Sequence, residues 1–424
     1  MQHSEKYDIV VIGAGPAGLL AAGKAAEEGK KVLVIERMRQ PGRKLLITGK
    51  GRCNITNMAP MAEFLSKVHP NGKFLKSAFS QFFSGDMIEL LKNHGLETVI
   101  ERGDRVFPTT NKASDVLNTI LRWLEKYKVD FRYDCRVSEL LLKEGRVVGV
   151  TAEDPDTTVK IPADAVIICT GGKSYPATGS TGDGYKLAQS AGHKIEALRQ
   201  ALVPLETAGD TAGKLQGLSL KNVTAKLWIN GKKQTEDFGE MLFTHFGLSG
   251  PIILTLSRIA VEAMNAGHTV EVSVDLKPSL DEQKLDARLI RDLNENGKKQ
   301  LENAFRLWLP SSMIPLFFEL LSLDPKKECH QVSSKERRKI MLMMKEMRFK
   351  ITGCRSFKEA IITAGGISTT EVDSKTMESK LVKNLFFAGE VLDLDADTGG
   401  FNLQVAWSTG YVAGASAAAA LNRP

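Results

Sequence analysis

Residues 7–36 read YDIVVIGAGPAGLLAAGKAAEEGKKVLVIE, and this stretch decides the fold of the chain. Two short apolar runs, Asp8–Ile12 and Lys31–Ile35, are typical of parallel strands that are buried on both faces. A glycine turn and an amphipathic helix separate them. The stretch therefore predicts one βαβ unit, the building block of a parallel sheet in an α/β protein.

The glycine turn in this unit has the spacing Gly13-x-Gly15-x-x-Gly18. Gly13 permits the tight turn, Gly15 lets a pyrophosphate approach the backbone, and Gly18 allows close packing of the helix on the strand. Glu36 ends the second strand, where an acid is placed to hydrogen-bond a ribose hydroxyl. A glycine-rich turn that only packs a helix would not explain Glu36. An acid there also disfavours a 2′-phosphate, so the pattern predicts FAD or NAD at this site rather than NADP.

The composition is that of an ordinary globular protein. The 424 residues are enough for two or three domains, with 42% hydrophobic and 25% charged residues. A net charge of +7 suits anionic small molecules or weak nucleic-acid contact and singles out neither. Five scattered cysteines without a CxxC pair predict reduced thiols, with no disulfide framework and no metal site. Because no signal peptide and no membrane-spanning run is evident, we expect a cytoplasmic protein.

A loop rich in glycine and basic residues follows Glu36. It reads RMRQPGRKLLITGKGRCNITN over residues 37–57. Its glycines allow close backbone approach and its cations suit a phosphate or the electron-rich end of a flavin. These residues are Gly42, Gly49, Gly51, Arg43, Lys44, Lys50 and Arg52. A solvated basic loop is the alternative. Cys53 has no second thiol nearby in sequence, so we interpret it as a packing residue rather than a catalytic thiolate.

The rest of the chain predicts three regions. A first domain over 1–195 and 355–424 should carry the parallel sheet. An antiparallel, barrel-like β domain over 196–278 and 330–354 begins where hairpins appear, including the Asn230-Gly231 pair typical of a type I′ turn. Residues 279–329 should form a helical insertion. The predicted fold class is α/β, a Rossmann-like parallel sheet that binds a dinucleotide, FAD or NAD, and is interrupted by the antiparallel domain and its helical insertion.

The segment TGKGRCNITN (48–57), following a dinucleotide-binding βαβ unit, resembles a group of bacterial flavoproteins. They are NAD(P)/FAD-dependent oxidoreductases, also called aminoacetone-oxidase-like, and include a proposed bile-acid-pathway reductase. The chain is more distantly similar to fumarate reductase flavoproteins. The later motifs that carry this resemblance are ERGDRVFP (101–108), IICTGGKSYPATGSTGDGYKLAQSAGH (167–193), LFTHFGLSGP (242–251) and the TGGFN segment (398–402) that follows Gly389-Glu390.

The resemblance implies one non-covalent FAD held by several segments of the chain. It implies that Val137 contacts adenine, that the strand ending at Cys169 delivers glycines to the pyrophosphate, and that the segment from Gly389 to Asn402 closes over the flavin. Together with the glycine turn, the residues expected to contact the cofactor are Gly13, Gly15, Pro16, Ala17, Gly18, Glu36, Arg37, Lys44, Thr48, Gly51, Arg52, Cys53, Asn54, Val137, Thr170, Gly171, Gly172, Gly389, Glu390, Asp393, Gly399, Gly400, Phe401 and Asn402.

Two function classes follow. In the first, the protein is an FAD-dependent oxidoreductase that moves a hydride or electron pair between a small molecule and NAD(P)H or oxygen. No second GxGxxG occurs from 37 to 424, so NAD(P)H should bind only transiently. His245, in the FTHFGLSGP turn, is the candidate catalytic acid or base, with a structural histidine as the alternative. In the second class, flavin is structural or sensory and the basic insert binds RNA or protein.

The basic insert is the segment around residues 326–350. Glutamates interrupt its basic run and no aromatic stacking platform accompanies it, so a solvated helix face is the interpretation we favour over nucleic-acid binding. We accordingly expect a small-molecule substrate and no nucleic-acid or membrane partner. The sequence does not indicate the oligomeric state.

Overall fold

The computed structural model of the protein describes residues 6–155 and 157–422. The chain divides into two compact units. Unit 1 comprises Met1–Arg199 and Ala360–Pro424, and unit 2 comprises Gln200–Glu359. Unit 2 is therefore a single continuous insertion, whereas unit 1 is assembled from both ends of the chain.

The strands of the described residues are, in chain order, β1 (Tyr7–Ile12), β2 (Val32–Ile35), β3 (Thr56–Asn57), β4 (Val68–His69), β5 (Thr98–Glu101), β6 (Arg105–Pro108), β7 (Asp130–Arg132), β8 (Arg136–Lys143), β9 (Arg146–Glu153), β10 (Thr158–Ile168), β11 (Ile195–Ala201), β12 (Leu205–Thr207), β13 (Ser219–Ile229), β14 (Lys232–Thr244), β15 (Gly247–Ser249), β16 (Val270–Asp275), β17 (Met347–Cys354), β18 (Ile362–Ile367), β19 (Leu385–Phe387) and β20 (Asp395–Ala396).

The α-helices are, in the same order, α1 (Pro16–Glu27), α2 (Arg43–Ile47), α3 (Met61–Ser66), α4 (Lys76–Gln81), α5 (Ser84–Asn93), α6 (Ala113–Lys126), α7 (Asp183–Ser190), α8 (Thr211–Lys214), α9 (Pro251–Asn265), α10 (Glu282–Glu295), α11 (Leu301–Trp308), α12 (Ile314–Leu321), α13 (Ser334–Lys345) and α14 (Phe401–Ala420). Among the described residues, none of these helices has the length and apolar character needed to cross a bilayer.

Unit 1 is built on a seven-stranded sheet in the order β7-β2-β1-β10-β9-β8, with β19 also paired to β10. β1 runs parallel to β2 and β10, and β10 runs parallel to β19. β9 pairs antiparallel with both β8 and β10. The strands of the parallel part are buried almost throughout, as expected for a sheet covered on both faces. The α/β fold and the first βαβ unit are confirmed.

The first and last helices of unit 1 pack backbone to backbone. A Cβ added at Gly410 of α14 would lie 2.3 Å from the carbonyl oxygen of Ala17, and one at Gly414 would lie 2.2 Å from that of Ala21. Two glycines four residues apart lie on the same face of a helix, so α14 presents a stripe without side chains to α1. This contact brings the end of the chain against the beginning of the dinucleotide motif.

Unit 2 contains a closed barrel of six strands in the order β12-β15-β14-β13-β16-β17. Its interior is filled by alternating apolar side chains such as Leu227, Phe243 and Val272, each fully or almost fully buried. The β13–β14 hairpin turns at Asn230 and Gly231, which both have positive φ angles, so the type I′ turn is confirmed. Helices α10 to α13 are inserted between β16 and β17.

Some elements differ from their predicted bounds. Residues 334–345 form α13, in agreement with the helix interpreted for the basic segment, although the predicted domain bounds grouped them with the antiparallel strands. The helix begins there because Ser333 and Glu336 form a capping box. Within residues 98–108, β5 and β6 form an antiparallel pair. The compact units divide at 199/200 and 359/360, a few residues beyond the expected boundaries.

Candidate functional site

A cavity in unit 1 opens at the carboxyl ends of β1, β2 and β10. Its lining comes from the glycine turn after β1, the ends of β2 and β10, the beginnings of α2, α7, β8 and β18, and the first turns of α14. The carboxyl edge of a parallel sheet is where α/β proteins bind their ligands. The cavity is therefore the candidate cofactor site of this unit.

Gly15 lines this cavity and is the N-cap residue of α1. Its φ and ψ angles of −81° and −176° suit any residue, yet a Cβ there would meet no protein atom within 4 Å. Gly15 provides no side-chain cap, so the first-turn N–H groups of α1 have no capping acceptor among the described residues. The open space in front of free N–H groups matches the requirement of a pyrophosphate.

The other two glycines of the motif have packing roles. Gly13 has a φ angle of 100°, and a Cβ there would lie 2.6 Å from the carbonyl oxygen of Cys169 at the end of β10. A Cβ at Gly18 would lie 1.8 Å from the carbonyl oxygen of Gly13. Gly18 thus allows α1 to pack closely on the glycine turn, as the motif predicts. It does not line the cavity.

Glu36 points into the cavity from the end of β2. One carboxylate oxygen accepts a hydrogen bond from the backbone N–H of Ala14 at 2.8 Å, and the other accepts one from Met38 at 2.9 Å. Burial raises the pKa of Glu36 above its ordinary value, although the backbone donors act in the opposite direction. A carboxylate has about four acceptor positions, so both oxygens retain capacity for ribose hydroxyls.

An ionic cluster lies at the rim of the cavity, where β2, β8 and α7 meet. The carboxylate of Asp183 accepts hydrogen bonds from Arg37 at 2.9 Å and from Arg136 at 3.0 and 3.3 Å. Burial pulls the pKa of Asp183 up, but Arg136 and Arg37 outweigh it and hold the pKa below its usual range. The cluster fixes the beginning of α7 beside the ends of two strands.

A second polar network lies where α2 faces residues 389–391. Lys44 Nζ donates to Glu390 Oε2 at 2.7 Å and to Ser174 Oγ at 3.1 Å. The other oxygen of Glu390 accepts from Ser174 Oγ at 2.8 Å and from the N–H of Thr363 at 2.9 Å. The predicted residues Lys44 and Glu390 are therefore brought together as an ion pair in the cavity wall.

The structure divides the predicted cofactor residues into two groups. Those that line the cavity are Gly13, Gly15, Pro16, Ala17, Glu36, Arg37, Lys44, Thr48, Val137, Thr170, Gly171, Gly389, Glu390 and Asn402. Those that do not are Gly18, Gly51, Arg52, Cys53, Asn54, Gly172, Asp393, Gly399, Gly400 and Phe401. The members of the second group surround the lining, and several of them have structural partners of their own.

Arg52 is the clearest departure from the prediction. Its guanidinium bonds the carboxylate of Glu101, donates to Asn111 at 2.8 Å and lies 4.1 Å over the ring of Phe107. These contacts brace the loop against the β5–β6 hairpin. Cys53 is fully buried, and burial raises the pKa of its thiol to about 12. It lies among core side chains, in agreement with its interpretation as a packing residue.

The two glycine segments predicted at the flavin end lie against each other. A Cβ at Gly400 would lie 2.4 Å from the carbonyl oxygen of Thr56 and 3.0 Å from Asn54 Oδ1. Asn54 Oδ1 is buried and has no hydrogen-bond partner within the described part of the chain. Phe401 packs on Phe64 with ring centroids 4.6 Å apart. The two segments thus pack on each other, and of their members Thr48 and Asn402 line the cavity.

Sequence reasoning missed part of the lining. The segment Thr178–Ser180 lies across from Glu36, since a Cβ at Gly179 would lie 3.6 Å from a carboxylate oxygen of Glu36. The glycines around this segment were the available signal. Arg136, Asp183, Ile361 and Ile362 also line the cavity, but nothing local in sequence marks them.

His245 lies in unit 2 at the tip of the β14–β15 hairpin, where it is exposed. The hairpin turn is closed by Thr244 Oγ1, which accepts from the N–H of Gly247 at 3.1 Å and donates to its carbonyl at 3.0 Å. The imidazole packs edge-on against Phe246 at 4.9 Å between centroids. The side chain is thus presented to solvent on a well-defined turn.

The residues of the cavity fit FAD. The open space at Gly15, the uncapped α1 and the acceptor capacity of Glu36 meet the needs of the pyrophosphate and the ribose.

Comparisons with known proteins agree with this class. Residues 7–416 match the family described as HI0933-like protein Rossmann domain, and the chain belongs to this family. The fold, the cavity and the family together define an FAD-dependent oxidoreductase. The expected relationship to bacterial FAD-dependent oxidoreductases is confirmed.

Among curated relatives, the ribosomal RNA dihydrouridine synthase of Escherichia coli (strain K12) is 30% identical over 96% of this chain and 97% of that protein. The 3-dehydro-bile acid delta(4,6)-reductase of Clostridium scindens is 31% identical over 97% of this chain and 98% of its own length. Among solved structures, the open conformation of a flavocytochrome c3 fumarate reductase has a TM-score of 0.51 at 16% identity, covering 99% of this chain and 79% of that one. This last similarity concerns the fold alone.

Proposed function

We propose that this protein is an FAD-dependent reductase that adds two hydrogens to a carbon–carbon double bond conjugated with a carbonyl group. The relatives' names support this reaction type. Dihydrouridine is uridine whose ring double bond, conjugated with a carbonyl, has been reduced, and a 3-dehydro-bile acid with double bonds at positions 4 and 6 has the same conjugated arrangement in a steroid. The single structural observation that carries the proposal is the open pyrophosphate position at Gly15 within the cavity of unit 1.

The residues that would hold the cofactor follow from the geometry of the cavity. The first turn of α1 would bind the pyrophosphate, and Glu36 would bind a ribose hydroxyl. Lys44, although paired with Glu390, would place a positive charge in the wall of the cavity. Bound FAD would supply two-electron chemistry, and the protein supplies orientation and charge.

Reduction of a conjugated double bond also requires a proton. We propose His245 as its donor, because histidine is the side chain that most often serves as a general acid and the closed hairpin turn holds this exposed side chain in a defined place. A structural histidine remains the alternative. The His245 variant described in the Discussion decides between the two.

We propose NADH or NADPH as the electron donor, with oxygen as the competing partner. The sequence contains no second GxGxxG, so a nicotinamide nucleotide would visit the site and leave before the substrate arrives. Such a sequence of events predicts ping-pong kinetics. A ternary complex with nicotinamide and substrate bound together would contradict it.

Two substrate classes are consistent with the proposal: a pyrimidine ring within RNA and a steroid-like enone. The expectation that no nucleic acid binds lacks support, because two similar proteins are named ribosomal RNA dihydrouridine synthases. The second function class, a structural or sensory FAD in an RNA- or protein-binding module, would leave the flavin unchanged by any donor.

Anaerobic stopped-flow spectroscopy tests the proposal. Holoprotein is mixed with NADH or NADPH, and the reduced protein is then mixed with a uridine-containing RNA or with a 3-keto-4-ene steroid. The proposal expects loss of the oxidised flavin absorbance with a nicotinamide, recovery on adding one of the conjugated acceptors, and a product heavier by two hydrogens. Bleaching only by an amine or hydroxy substrate, with peroxide formed on admitting air, would instead identify an oxidase. No bleaching by any donor would favour the structural FAD.

A further inference from the structure

Helix α13 of unit 2 has two chemically different faces. Ile340, Met341 and Met344 are buried on one face. On the same side, Arg337 bonds the carboxylate of Asp286 on α10 at 2.8 Å. The opposite face is therefore free of these packing contacts.

Three cations occupy that opposite face. Lys335, Arg338 and Lys339 are exposed, and Leu342 continues the same stripe. Residues three and four positions apart are neighbours on a helix surface, so the three charges form one group. Lys335 and Lys339 are separated by about 6 Å along the axis, which is comparable with the separation of successive phosphates in a single nucleic-acid strand.

Neighbouring turns add to this charge. Lys327 Nζ bonds Glu336 in the first turn of α13 at 2.7 Å, which places the 324–331 segment beside the start of the helix. This segment in turn hydrogen-bonds residues 297–301, since the N–H of Cys329 donates to the carbonyl of Lys299 at 3.0 Å. The exposed cations of these turns are Lys298, Lys299 and Lys326. We call these three together with Lys335, Arg338 and Lys339 the basic surface.

Two of the nearby carboxylates have partners outside the basic surface. Glu336 accepts from Lys327 and from Ser333, and the hydrogen bond from Lys327 is the main cause that lowers its pKa to about 2. Glu328 lies 3.3 Å from His330. Among the described residues, Asp324, which accepts the backbone N–H of Lys326, and the exposed Glu295, three residues before Lys298, are the acidic neighbours that oppose the charge of the surface. The sequence alone suggested that interleaved acids neutralise this region, but the contacts leave its outer face positive.

We propose that the basic surface binds the phosphate backbone of RNA. The inference rests on the proposed function, because of its two substrate classes only RNA carries phosphates that six exposed cations could neutralise. A steroid-like enone would gain nothing from them. The charges lie on an exposed helix face and two adjoining turns, which suits an extended polyanion that is recognised by charge rather than by base sequence.

Salt dependence of binding gives the quantitative test. Fluorescence anisotropy of a labelled single-stranded RNA of uridine-containing sequence is measured with the holoprotein at several potassium chloride concentrations. Each neutralised phosphate of a single strand contributes about −0.7 to the slope of log K against log salt, so six contacts predict a slope of about −4. In the triple variant Lys335→Gln, Arg338→Gln, Lys339→Gln the slope should become less negative by about 2. This variant should also bind the RNA about 100-fold more weakly than the wild type at 0.1 M salt.

A matched variant separates this surface from net charge. Lys221→Gln, Lys232→Gln, Lys350→Gln removes the same charge from exposed positions on the barrel strands of the same unit. The proposal expects it to bind RNA within about twofold of the wild type. Equal losses in the two triple variants, or no measurable binding by the wild type, would overturn the proposal. Displacement of RNA by polyglutamate as readily as by unlabelled RNA would show an unselective polyanion site and would also overturn it.

The same protein preparations are assayed for reduction of the 3-keto-4-ene steroid and of free uridine. Reduction of one of these acceptors without RNA binding would contradict the proposed RNA-binding surface and would still support the proposed function. RNA binding that is weakened only in the α13 variant, without reduction of any conjugated acceptor, would support the surface and remove the proposed reaction. The two ideas can therefore fail separately.

Discussion

Gly15→Val is the substitution that tests the cofactor site most directly. The backbone at Gly15 is extended, so valine fits its φ and ψ angles, and no protein atom lies within 4 Å of the added Cβ. The folded apoprotein should therefore lose only about 1 kcal/mol of stability, the usual cost of an apolar residue at a helix N-cap. The new side chain would instead stand in the space where a pyrophosphate meets the first turn of α1.

The expected size of the effect follows from the hydrogen bonds that would be lost. A hydrogen bond to a charged group contributes about 1.5–3 kcal/mol, so displacing the pyrophosphate from two N–H donors should cost about 3–6 kcal/mol of binding. That cost corresponds to a rise in the dissociation constant of about 10²- to 10⁴-fold. Isothermal titration of the apoprotein with FAD, with circular dichroism to verify folding, measures both quantities.

A control variant guards against a general effect of adding a side chain. Gly85 lies in α5, also without any atom within 4 Å of an added Cβ, and it does not line the cavity. Gly85→Val should bind FAD like the wild type. If Gly15→Val is folded and retains FAD with wild-type affinity, the pyrophosphate does not lie at the N-terminus of α1 and the assignment of the cavity is wrong.

The remaining predictions concern four other residues. Cys53→Ala should retain most flavin reduction, since a fully buried thiol with its pKa raised to about 12 is not a thiolate at working pH; stopped-flow rates with normal FAD content measure this. Burial lowers the pKa of His193 below its usual 6.5, so the folded state favours the neutral ring. The contribution of the neutral ring to the free energy of unfolding is therefore complete above about pH 6.5 and is lost as the pH falls through the pKa of His193 in the folded state. Urea unfolding at several pH values should show this decrease in the free energy of unfolding. In His193→Gln the free energy of unfolding should depend less on pH. Gly414→Ala should destabilise unit 1 by about 1–3 kcal/mol because its Cβ would meet a backbone oxygen of α1, whereas Gly85→Ala should not; thermal unfolding distinguishes them. His245→Ala should slow substrate reduction at least about 100-fold with normal FAD content, and wild-type rates would remove this residue from the site.

The parts of the site that were predictable are those defined by local pattern. The spacing of Gly13, Gly15 and Gly18 dictates a turn, a free helix end and a close contact, and each role is visible within a few residues. Glu36 could be located because it follows a recognisable strand. These features depend on backbone geometry, which a short stretch of sequence determines.

The parts that could not be predicted depend on partners distant in sequence. Asp183 reaches the rim of the cavity because Arg37 and Arg136 bond it from two other elements. Arg52 was expected to face the cofactor, but Glu101 supplies an opposite charge on the β5–β6 hairpin. A charged side chain can serve a ligand or a salt bridge equally well, and only the tertiary structure decides between the two.

Because α1 packs on α14 through the glycine contact, the cofactor cavity can be completed only after α14 has been synthesised. Helix α1 is synthesised hundreds of residues before α14, which spans Phe401–Ala420 and provides Asn402 to the cavity lining. At about 5–20 residues per second, the interval is roughly 20–75 s. Throughout that time the apolar face of α1 lacks its partner and the cofactor cavity lacks a wall. Unit 2, a continuous segment, does not share this dependence. Cofactor capture should accordingly be a late event in the biogenesis of this enzyme.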